Sequence, residues 1–163
     1  MQINKNLLTA TLLTIGGFAA VSANAATEDT FNISLDVASA CNITTSSAAD
    51  IDLGTADNTV KTGTNAIEVF CSKGTNYQLA LTPSNESTSG LGALTGPGGE
   101  IQYQLTQTEG GDVWGNIDST NTLTATGNGA YSANSHGVTV KTMSTTDLAV
   151  GNYADIVTID LIF

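Results

Sequence analysis

The feature that most constrains this chain is its period of two. Apolar residues recur at alternate positions in short runs, and turn-rich stretches separate those runs. Alternation at this spacing puts one side of an extended segment toward a core and the other toward water. Phe31, Ile33, Leu35 and Val37 share one face of the first run, opposite Asn32, Ser34 and Asp36. Ile67, Val69 and Cys71 repeat the pattern, as do Tyr77, Leu79 and Leu81, then Ile101, Tyr103 and Leu105. Val138 and Val140 begin a further run, and Val157, Ile159, Leu161 and Phe163 close the sequence on one face. No segment after residue 25 sustains a helical period. Thr, Val and Ile are frequent and only two prolines occur, so the expectation is an all-β sandwich rather than a βαβ protein.

Between those runs the reading is weaker. A short strand is expected over 51–53, inside a polar stretch. Residues 83–99 are rich in Gly, Ser and Pro and read as a long surface loop. Lys73-Gly74-Thr75-Asn76 and Glu109-Gly110-Gly111-Asp112 read as turns. The segment 115–135 is polar, with Leu123 and Tyr131 as its expected anchors.

The first 25 residues are expected to be a secretory leader. Lys5 supplies a positive start, an apolar run follows, and Ala23-Asn24-Ala25 offers small residues for cleavage. The apolar run is short for a membrane span, and no later stretch approaches about 20 apolar residues. The organisation expected is therefore a leader over 1–25, an N-terminal strand over 26–37 and one β-sandwich domain over 38–163. Export puts Cys41 and Cys71 in an oxidising compartment, where an even count reads as one disulfide.

Charge and chemistry exclude more than they select. The formal net charge is −11, with 15 acidic residues against four basic ones, which argues against nucleic acid and anionic membranes. We find no nucleophile, base or metal constellation and expect neither a catalytic residue, a metal nor a cofactor. His136 has no catalytic companion and reads as an exposed loop residue. Asp50, Asp52 and Asp57 lack the glycine and glutamate placement of a known calcium loop and read as solvated surface. Tyr103 and Trp114 are expected in the core or against a turn, because aromatics are too few (6% of the chain) for a sugar platform.

The residues then resemble a family. Gly151-Asn152-Tyr153-Ala154-Asp155, followed by Val157, Ile159, Leu161 and Phe163, is similar to the C-terminal pattern of the spore coat protein U domain. Domains of that kind are subunits of archaic chaperone–usher pili. Ile101-x-Tyr103-x-Leu105 with Val113-Trp114-Gly115-Asn116 resembles its central strand and Trp-Gly turn, and the two cysteines fit its disulfide. The stretch 115–135 is more polar than that pattern.

The resemblance implies an incomplete immunoglobulin-like β-sandwich that lacks its last strand and is completed by donor-strand complementation. It implies residues 27–37 as donor strand, with Phe31, Ile33, Leu35 and Val37 as plugs. The acceptor groove and chaperone contact fall along Val157, Ile159, Leu161 and Phe163, with the strand from Cys41 or its continuation as the other border. Implied partners are neighbouring pilin subunits, a periplasmic chaperone and an outer-membrane usher, on a route through the periplasm to a cell-surface pilus. A different reading stays open on the residues alone: a self-contained, lectin-like secreted module with a complete sheet.

Overall fold

Eight strands form, all paired antiparallel, in a computed structural model that describes residues 27–45, 50–107, 111–145 and 147–163. The leader expected over 1–25 lies outside the described residues. So do Glu109 and Gly110 of the expected turn. The strands are β1 (Cys41–Thr45), β2 (Thr62–Cys71), β3 (Asn76–Pro83) and β4 (Leu91–Gly96). β5 (Gly99–Thr106), β6 (Leu123–Thr126), β7 (Asn134–Thr142) and β8 (Val157–Ile162) follow. One sheet runs β1-β2-β7-β5-β4 and the other β6-β3-β8. No helix occurs among the described residues.

The chain divides into two units, Met1–Leu35 and Asp36–Phe163. In the first unit, residues 27–35 form no strand, and Phe31, Ile33 and Leu35 are exposed. Their alternation is that of a strand.

The second unit holds the core. Ile67, Val69, Leu79, Leu81, Tyr103, Leu105, Val138 and Val140 are buried between the sheets, on the alternate positions their periodicity selects. Trp114 is fully buried beside them. Its short segment stitches the sheets together. Trp114 N–H donates to the Leu105 carbonyl at 3.0 Å, and its indole donates to the Leu79 carbonyl at 2.9 Å. The Leu81 N–H in turn donates to the Gly115 carbonyl at 3.0 Å. Cys41 and Cys71 are register partners across β1 and β2 and are joined by a disulfide. A loop of sequence separation 30 closed this way restricts the unfolded chain by roughly 3–4 kcal/mol.

Four expectations need correction. Residues 51–53 form no strand. Ile51 and Leu53 are half-buried against the core without pairing to any neighbour. Residues 83–99 are not all loop, because β4 lies within them and pairs with β5 through a two-residue Pro97-Gly98 turn. Its glycines hid it. Gly92 replaces a side chain with the ring of Tyr103, and a Cβ there would collide with that ring. Tyr131 anchors nothing and is fully exposed, whereas Leu123 is half-buried in β6.

The fourth is His136, which sits in β7 rather than in a loop. Its Nε2 lies 2.7 Å from the hydroxyl of buried Tyr77, with the rings edge to face at 5.9 Å. Burial pushes the imidazole below its ordinary value of 6.5. Folding therefore favours the neutral ring, and the unfolded chain binds the extra proton. This contribution is complete above the unfolded value and declines as pH falls below it toward the folded value. We expect thermal midpoints to drop between about pH 7 and about pH 5 more steeply for the natural chain than for His136→Gln. Parallel curves would show that folding leaves the proton affinity of His136 unchanged.

Candidate functional site at the free edge of β8

The site begins with the pattern of β8 itself. Val157, Ile159 and Leu161 point inward and are half-buried, while Thr158, Asp160 and Ile162 face out. β8 pairs with β3 from Gln78↔Ile162 to Pro83↔Val157 and has no strand partner on its other side. A sheet edge with a continuous apolar inner face is a place for another strand to add. Phe163 lies just past the end of β8 and is mostly exposed.

The inner face of β8 opens onto a cavity of about 280 Å³ between the sheets. Leu81 of β3 and Ile67, Leu105, Val138 and Val140 of the other sheet line it, together with Val157, Ile159, Ile51 and Leu53. The core is thus unfilled beside β8. Cys41 and Ile43 of β1 pack against the core as half-buried groups, and β1 likewise pairs on one side only.

A polar clamp precedes β8. Ala154 forms an isolated bridge with Thr95 of β4, with N···O distances of 2.9 and 3.2 Å. The Tyr153 hydroxyl accepts from Gly98 N–H at 3.0 Å and donates to the Ala149 carbonyl at 3.1 Å. Asp155 accepts from the Tyr103 hydroxyl at 2.6 Å, and its other oxygen accepts from Ser84. Burial, reinforced by that carboxylate, pushes the Tyr103 phenol far above its ordinary value, so it remains a donor at any physiological pH. The chain therefore leaves the edge of one sheet at Ala154 and enters the other sheet at Val157. Periodicity located Tyr103 and β8 but not this clamp, because long-range polar pairing leaves no repeat in a sequence.

The expected plugs are also placed. Phe31, Ile33, Leu35 and Val37 are between 81% and 88% exposed. Isolated surface apolar groups are ordinary, but four alternating ones on a single extended run are not. Among the described residues no group of three or more His, Cys, Asp or Glu is arranged to hold a metal. Asp57 pairs with Lys61 at 2.8 Å, and Asp52 accepts from Gly54 N–H at 2.7 Å.

The family model of the Spore Coat Protein U domain matches residues 27–160. Among solved structures, the chain is similar to one in the CsuC–CsuE chaperone–tip adhesion subunit pre-assembly complex from archaic chaperone-usher Csu pili of Acinetobacter baumannii. That likeness has 22% identity and a TM-score of 0.53, over 78% of this chain and 40% of the other. A chain of a chaperone–tip adhesin complex of CFA/I fimbriae matches at 15% identity and a TM-score of 0.41, over 75% of this chain and 41% of that one. The chain spans about two fifths of the length of these solved chains. No curated protein matches significantly. The first of these likenesses is one of fold, an immunoglobulin-like two-sheet sandwich.

Proposed function

The chain belongs to the Spore Coat Protein U domain family, and on that premise we propose that it is a structural, non-enzymatic subunit of a chaperone–usher surface pilus that polymerises by donor-strand exchange. Residues 1–25 direct export and are removed. Residues 26–37 of one subunit then add to the free edge of β8 in the next, with Phe31, Ile33, Leu35 and Val37 entering the space beside Val157, Ile159 and Leu161. Until that happens a periplasmic chaperone covers the same edge, and an outer-membrane usher is where one strand replaces the other. The finished fibre stands on the cell surface and serves adhesion and biofilm formation.

One observation carries this reading: the chain has four alternating exposed apolar residues and an unfilled, mainly apolar trench beside a strand that is paired on one side only. Burying four such side chains is worth roughly 6–12 kcal/mol before the cost of ordering the segment. Ladder hydrogen bonds to β8 add affinity that does not depend on side-chain identity.

The test is an SDS gel of the surface-sheared fraction, unheated beside boiled, for the natural chain and for a deletion of residues 27–37. A ladder that collapses on boiling and is lost with the deletion is the expected result. A single monomer band in every lane would replace this function with that of a self-contained secreted binding module.

A further inference from the structure

We propose that Ile51 and Leu53 are an intramolecular placeholder, occupying part of the trench beside β8 in the free subunit and yielding when another strand enters. This regulation rests on the strand-acceptor reading above. The segment carries the same apolar alternation as a donor, at half the length: Ile51 and Leu53 inward, Asp50 and Asp52 outward. Both apolar side chains are half-buried and packed on the core, yet residues 51–53 pair with no strand. Apolar contact without a hydrogen-bonded ladder is a grip that can be released without breaking a sheet.

The seat for these side chains is built into β2. Gly63 lies on the inward-facing register of β2, two positions per step from Ile67 and Val69, and a Cβ at Gly63 would collide with both Ile51 and Leu53. The two side chains line the same cavity as Val157 and Ile159. The remaining volume of about 280 Å³ shows that they fill this space only in part. A donor with four plugs offers more apolar burial than the two it displaces, so the exchange runs toward the incoming strand. The placeholder meanwhile shields the apolar edge of the free subunit and raises the threshold for short or weakly apolar strands.

The experiment follows capture of a labelled peptide of residues 27–37 by the full natural chain and by Ile51→Ser/Leu53→Ser. Removing the placeholder should speed association about tenfold or more and leave dissociation unchanged. Unchanged association, or faster dissociation, would overturn the inference, the latter because the two residues would then be gripping the bound strand. Hydrogen exchange in the natural chain needs no variant: amides of 51–54 should exchange faster once the peptide is bound, and greater protection there would likewise overturn it. A peptide that binds neither chain overturns the acceptor reading itself, and this inference with it.

Discussion

We expect Ile33→Asp to abolish fibre assembly while leaving the sandwich folded, and Asn32→Asp, one residue away, to leave assembly intact. The contrast follows from the two faces of the donor. Ile33 is one of the four alternating residues proposed as plugs and is 85% exposed in the single chain, so its loss removes no core contact from the subunit that carries it. In the proposed complex the same position enters the neighbour's trench among apolar side chains. The substitution forfeits about 2–3 kcal/mol of burial and adds the cost of an unpaired buried carboxylate, several kcal/mol more. Affinity then falls by more than about a thousandfold. Asn32 lies on the opposite face and stays in water whichever strand it pairs with. Gel ladders and circular dichroism on both variants check this. A full ladder from Ile33→Asp would remove residues 27–37 from the donor role.

Trp114→Ala has the largest expected effect on the subunit itself. The indole is fully buried, and its N–H satisfies the Leu79 carbonyl in the core of β3. Truncation opens a cavity between the sheets and leaves that carbonyl without its donor, for a loss of roughly 3–5 kcal/mol. Against a typical domain stability of about 5–15 kcal/mol, such a loss leaves the fold marginal. Urea midpoints followed by far-ultraviolet circular dichroism measure it. Trp114→Phe separates the two causes, since it retains most of the volume and loses the hydrogen bond, at about 1 kcal/mol. A loss below about 1 kcal/mol for the alanine variant would show that the indole contributes little to the packed core.

The parts of this fold legible in the sequence are those where large apolar side chains alternate. β2, β3, β5, β7 and β8 announce themselves through Ile67 and Val69, Leu79 and Leu81, Tyr103 and Leu105, Val138 and Val140, and Val157 to Leu161. β4 did not, because its inward position at Gly92 is filled by a side chain from β5. Ile51 and Leu53 mimic a strand without being one, since alternation reports burial on one side and says nothing of hydrogen-bonded neighbours. His136 departs from its expected loop for a related reason. A single polar residue at an inward position looks like the end of a strand, whereas here Tyr77 receives it across the sandwich. Tyr131 shows the converse, an aromatic with no companion at i±2 that finds nothing to pack on.

In the proposed fibre, the crossing of the chain from Ala154 to Val157 decides how tension is shared. A pull transmitted along a captured strand acts parallel to β8. It therefore shears the β3–β8 ladder, loading all its register pairs from Gln78↔Ile162 to Pro83↔Val157 together instead of peeling them one by one. The residues just ahead of β8 are fastened to Thr95, Gly98 and Tyr103, which lie on β4, β5 and the turn between them in the five-stranded sheet. Part of that force therefore passes beyond the three-stranded sheet to the five-stranded one, and rupture of a subunit requires both sheets to give way.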